Sequence, residues 1–154
     1  MAYIQLETFI KAPAQLCFDL SRSIELHQES MQQSAERAIA GVTNGLIKEG
    51  ETVTWEARHF GIRMRMTSKI TAMQFSYYFR DEMLSGPFKR LWHEHLFCEE
   101  KGGTMMVDDF EFSSPLGVLG KLVDRLVLKK YMTRLLAKRN SLIKRVAEQQ
   151  AKGG

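Results

Sequence analysis

Residues 50–71 read "GETVTWEARHFGIRMRMTSKIT". Val53, Trp55, Ala57 and His59 fall on one face of an extended chain, and Thr52, Thr54, Glu56 and Arg58 on the other. After Gly61 the alternation resumes. Ile62, Met64, Met66, Ser68 and Ile70 point one way, and Arg63, Arg65, Thr67, Lys69 and Thr71 the other. This is the pattern of antiparallel strands with one face packed and one face wet. Gly61 between the two runs predicts a tight hairpin.

The same period extends in both directions. Strands are predicted near residues 3–11, 35–41, 77–83, 88–99 and 103–112, and "EEKGGT" (99–104) is the turn joining the last two. Between the first strand and the rest, "APAQLCFDLS" (12–21) and "SIELHQESMQQ" (23–33) read as short helices. Pro13 suits the first turn of one and Ser23 starts the other. At the far end, "PLGVLGKLVDRLVLKKYMTRLLAKRNSLIKRVAEQQ" (115–150) has helical period. Leu119, Leu122, Val123, Leu126, Tyr131, Leu135, Leu142 and Val146 form one stripe, with Lys and Arg on the remainder. One domain is predicted over residues 1–148, followed by a frayed tail, 149–154.

A sheet with one apolar face needs a cover, and the long terminal helix is the element large enough to supply it. A helix is only about 10–12 Å across, so a curved sheet around it is expected to leave a cavity. The fold expected is therefore α+β: an antiparallel sheet of about seven strands wrapped around the terminal helix.

The chain has 154 residues, 44% of them hydrophobic and 26% charged, enough for one packed domain. No apolar run approaches the ~20 residues that cross a bilayer. The first residues lack the basic-then-apolar pattern of a secretory leader, and a cytoplasmic location is expected. Cys17 and Cys98 read as free thiols. Residues 121–154 hold 10 of the 22 Lys and Arg but 2 of the 18 Asp and Glu. That basic end would permit weak contact with an anionic membrane. A solvated helix back is the preferred reading, and no nucleic-acid partner is expected.

The opening "IKAPAQLCFDL" (10–20) and the closing "SSPLGVLGKLVDRLVLKKYMTRLLAKRNSLIK" (113–144) resemble the START/birch-pollen-allergen superfamily, and within it the bacterial SRPBCC, or polyketide cyclase/dehydrase-like, group. The resemblance spans nearly the whole chain. It implies a helix-grip fold with a cavity for a hydrophobic or amphipathic ligand. It implies no particular reaction, and no family catalytic motif is carried over.

Strand alternation supplies the candidate site. In "LWHEHLFCEE" (91–100), His93 and His95 share a face with Leu91 and Phe97, which places them inward. His59 follows Trp55 and Ala57, Asp81 sits between Phe79 and Met83, and Asp108 shares a face with Met106, Phe110 and Phe112. His59, Asp81, His93, His95 and Asp108 are thus the candidate polar cluster and the candidate acid/base residues. Buried charges need partners, so Asp–His pairs are expected. Trp55, Met64, Met66, Phe79, Phe97, Phe110 and Tyr131 are the expected apolar wall, and nine methionines suit an adaptable one. His27 reads as a surface histidine. No metal and no cofactor are expected. Three functions stay open: binding or transport of a small hydrophobic or amphipathic ligand, a cofactor-independent cyclase, hydratase or isomerase, or an interaction module acting through the basic helix.

Overall fold

The computed structural model describes residues 1–153. Its strands are β1 (Ala2–Ile10), β2 (Arg37–Gly41), β3 (Thr52–His59), β4 (Ile62–Gln74), β5 (Tyr78–Ser85), β6 (Arg90–Glu100) and β7 (Gly103–Ser113). They form one antiparallel sheet in the order β1-β7-β6-β5-β4-β3-β2. Two short helices, α1 (Ala14–Ser21) and α2 (Ile24–Ser30), carry the chain from one edge of the sheet to the other. Ser23 Oγ accepts the Leu26 N–H at 3.2 Å and so caps α2 as its position predicts. Phe60 and Gly61 form the β3–β4 turn, both with positive φ (51° and 75°), the conformation that matches strand twist in a two-residue hairpin. Phe60 takes up this left-handed backbone while its ring packs, tilted by 41°, 4.6 Å from that of Tyr131.

Burial follows the alternation. Along β6, Leu91, His93, His95 and Phe97 are buried, and along β7 every second residue from Thr104 to Phe112 is buried. The rows meet α4 (Lys129–Gly153), which lies across the concave face. One core cluster joins Phe18, Phe79, Phe97, Met106 and Ile143, and a second joins Ile4, Leu91, Phe110, Phe112 and Leu136. The architecture is the helix-grip arrangement expected. α4 runs to Gly153, through the stretch 149–153 expected to be a frayed tail, and partly buried Ala151 still packs on the first cluster.

The terminal helix differs from expectation at its start. Residues Gly117–Val123 form α3, and Asp124–Leu128 form a π-helical turn before α4. The extra residue in a π turn rotates the preceding residues out of phase with those after it. Leu119, Leu122, Val123 and Leu126, expected on the buried stripe, are therefore exposed at 63%, 52%, 36% and 64%. Leu135 and Leu142, beyond the turn, are buried. Asp124 fixes the junction. It is 2% exposed, and its carboxylate accepts the N–H of Ser114 at 2.9 Å and the Ser114 hydroxyl. No helix among the described residues is long and apolar enough to cross a membrane.

Candidate functional site

A cavity of about 320 Å³ lies between the sheet and α4. Trp55, Met64, Met66, Phe79 and Phe110 are among the side chains on its walls. Of the expected apolar wall, Phe97 lies elsewhere: at 1% exposed, it packs edge-on against Phe18 in the core behind the cavity. Met73, Met83, Met105 and Met106 are also outside the wall, whereas Met31 and Met132 are part of it.

One end of the cavity is polar, and sheet register assembles it. Asp81 is paired with His93 across β5 and β6, and His95 with Asp108 across β6 and β7. The hydrogen bonds run diagonally to these pairs. His93 Nε2 lies 2.7 Å from Asp108 Oδ1, and His95 Nε2 lies 2.8 Å from Asp81 Oδ2. The two imidazoles stack with centroids 3.7 Å apart, and Phe79 stacks on the outer face of His95 at 4.0 Å. From α4, Arg139 donates to Asp108 Oδ1 (3.3 Å), to Asn140 Oδ1 (2.9 Å) and to His95 Nδ1 (3.2 Å). Asn140 Nδ2 donates to Asp108 Oδ2 at 2.7 Å. Asp108 is fully buried, with acceptors filled on both oxygens.

This geometry assigns the protons. His95 Nδ1 lies 3.2 Å from the Arg139 guanidinium and 3.5 Å from Asp108 Oδ1, and its Nε2–H donates to Asp81. Asp108 opposes two donors from α4 and one from His93, so His93 Nε2 carries a hydrogen and Nδ1 does not. Burial pushes the His93 pKa down to about 4, helped by the neighbouring His95, and outweighs the pull of Asp108 and Asp81. Burial alone would raise the carboxyl pKa of Asp108, but the contacts with His93 and His95 and the Arg139 charge hold it well below the usual range. Asp81 is likewise lowered: burial opposes, and the bond from His95 wins.

His59 lines the same cavity but joins a different pair. Its Nδ1 is 2.6 Å from the Tyr131 hydroxyl, and burial lowers its pKa and raises that of Tyr131. The expected five-residue cluster is thus four residues, with His59 apart. His27 is also part of the cavity wall rather than a plain surface group. Its ring lies 4.3 Å from that of Trp55, and Nε2 is 2.7 Å from Glu36 Oε1.

No protein-family model matches the chain, and no curated protein matches it. Solved structures do. A protein from Thermus thermophilus is 18% identical, covering 92% of this chain and 97% of its own, with a TM-score of 0.68. Major latex-like protein 151 from Panax ginseng is 14% identical over 95% of this chain and 97% of its own, TM-score 0.69. The di-domain ARO/CYC StfQ of the steffimycin biosynthetic pathway is 12% identical over 97% of this chain and 51% of its own, TM-score 0.78. The fold is the helix-grip arrangement that these structures share. At such identities the likeness establishes fold and leaves function to the site.

Within this helix-grip, Arg139 and Asn140 are the residues that sequence reading missed. Arg139 stands among the basic residues expected on the outer face of the helix, yet it is 3% exposed. Its signal lies only in a distant acidic partner. Asp81, His93 and His95 bring three donor atoms within 4.8 Å of one another, the set nearest to a metal's needs among the described residues. Arg139 reaches into that set with a fixed positive charge, and both nitrogens of His95 are engaged. The arrangement is better suited to hydrogen bonding than to holding a second cation.

Proposed function

We propose that this protein binds a small, mainly apolar molecule in the cavity, with the polar end of the ligand against Asp81 and His93. The observation behind this reading is a preformed cavity, of a size at the lower end of the ~300–1,000 Å³ typical of small-molecule sites, with greasy walls and one polar pole. The uncharged fluorophore N-phenylnaphthylamine tests it. Fluorescence enhancement that saturates at one probe per chain is expected. Ala57→Phe and Ser68→Leu, each filling the cavity from the sheet side, should abolish it. Enhancement that survives both substitutions in folded protein would place the probe elsewhere and defeat the reading.

A second reading is proton transfer to or from the bound molecule. It is favoured by His93, whose Nδ1 is unprotonated while Asp108 orients the ring from behind. An imidazole with a pKa near 4 is a weak base, so binding is placed first. Kemp elimination of nitrobenzisoxazole separates the two. Nδ1 would take the ring C–H proton as the N–O bond breaks to give the cyanophenolate. Turnover lost in His93→Ala, with binding retained, supports catalysis. No turnover above the buffer reaction leaves a binder.

A further inference from the structure

Nδ1 of His93 and Oδ1 of Asp81 make no hydrogen bond among the described residues. No fully buried side-chain nitrogen or oxygen is left unpartnered among the described residues, and both residues line the cavity. These two atoms therefore open into it. Both are acceptors. The donors of Arg139 nearby are turned to Asp108, Asn140, His95 and the Ser21 carbonyl. Two carboxylates, Asp81 and Asp108, face one guanidinium, and the one that opens into the cavity, Asp81, is held in its charged form. Elsewhere on the wall, Arg22 is paired with Asp19 and Arg65 with Glu56, so neither supplies a free cation.

We infer that the cavity selects ligands whose polar end donates hydrogen bonds, an amine or a hydroxyl on an apolar body, and rejects carboxylates. This rests on the cavity-binding reading above. An ammonium or hydroxyl would satisfy Asp81 Oδ1 and His93 Nδ1 together. A carboxylate would meet two acceptors and a negative charge, a repulsive arrangement that gives specificity by exclusion. Four probes of one shape test it: naphthylmethylamine, naphthylmethanol, methylnaphthalene and naphthoate, each titrated by displacement of N-phenylnaphthylamine. Affinity should fall in that order. Asp81→Asn, which keeps an acceptor for His95 but removes the charge, should weaken the amine about tenfold and leave methylnaphthalene unchanged. Equal affinities, or tighter binding of naphthoate, would overturn the inference while cavity binding stood. If methylnaphthalene and the fluorophore both fail to bind, the cavity reading itself falls.

A separate observation concerns the misplaced stripe. Val118, Leu119, Leu122, Val123, Leu126 and Val127 are 84%, 63%, 52%, 36%, 64% and 49% exposed. Phe60 and Ile62, at the β3–β4 turn, are 58% and 59% exposed. Phe60, Leu128 and Tyr131 also line the cavity, so this crest borders the cavity. Lys121, Arg125, Lys129 and Lys130 are exposed along it, in no ion pair among the described residues. The one acid in the segment, Asp124, is buried on Ser114. We propose that α3 and the π turn dock on an anionic bilayer surface, leucines among the acyl chains and cations among the headgroups. Co-sedimentation with phosphatidylcholine vesicles, with and without phosphatidylglycerol, tests this. Binding to the anionic vesicles alone, weakened by salt, is expected. It should drop about tenfold or more in Lys121→Glu/Arg125→Glu and in Leu119→Ser/Leu122→Ser/Leu126→Ser. No binding at low salt, or binding indifferent to both variants, would overturn it. So would a dimer in solution that the leucine variant dissolves, because a second copy would then cover the crest.

Discussion

Arg139 holds the polar pole together, and its removal should be felt more in stability than its single position implies. Asp108 is fully buried and ionised against it. Breaking a buried pair from one side costs about 3–5 kcal/mol, and urea denaturation of Arg139→Met should show a loss of that order. His93 sets a pH response. Its pKa is about 4 in the fold against ~6.5 in an unfolded chain. Between those values the unfolded chain takes up a proton that the folded protein refuses, so stability falls as pH falls from 6.5 towards 4. At 1.36 kcal/mol per unit the loss is about 3 kcal/mol. Urea midpoints across that range should show it, and His93→Gln should flatten the slope. An unchanged slope in His93→Gln would assign the response to another group. The inward placement of His93 and His95 is legible in the sequence because a strand has period two and Leu91 and Phe97 mark the buried parity. Arg139 and Asn140 are not legible. On a helix dense in Lys and Arg, nothing local distinguishes the one arginine whose partner, Asp108, lies 31 positions away. His27 escaped for a similar reason: its partner, Trp55, belongs to a strand that only tertiary folding brings near.

The terminal helix is one apolar stripe in sequence and two surfaces in the structure. Period reads correctly in α4 at Leu135 and Leu142, both buried, while the adjacent Leu136 and Ile143, outside the expected stripe, are buried as well. It fails across the π turn, because a single inserted residue changes phase without changing composition. The consequence is measurable within one element. Ile143→Ala, at 1% exposure, should cost about 2–5 kcal/mol, whereas Leu119→Ser should stay within about 0.5 kcal/mol. Thermal or urea unfolding of the two variants decides this, and equal losses would mean that α3 packs as α4 does. The hairpin between β6 and β7 offers a second test. A Cβ on Gly103 would sit 2.2 Å from the Ile10 carbonyl oxygen, which is backbone and cannot step aside. Gly103→Ala should therefore destabilise by about 1–3 kcal/mol, read as a lowered Tm.

At the scale of the whole molecule, a sheet that closes on a single helix leaves space only where α4 and the sheet diverge, and the cavity occupies that space. The β3–β4 and β6–β7 hairpins and the presence of a cover were readable from the sequence, and in the structure each strand from β2 to β7 pairs with its sequence neighbour. The exception is β1, which pairs with β7, Ala2 opposite Phe112 and Ile10 opposite Thr104. A chain growing at ~5–20 residues per second would emit β1 roughly 5–20 seconds before its partner exists. During that interval Ile4 and Ile10, both buried in the finished protein, have no sheet to join. The N-terminal strand of this fold is thus born as a bare apolar edge, and the nascent chain must shield it, or be shielded by a chaperone, until the last hairpin leaves the ribosome.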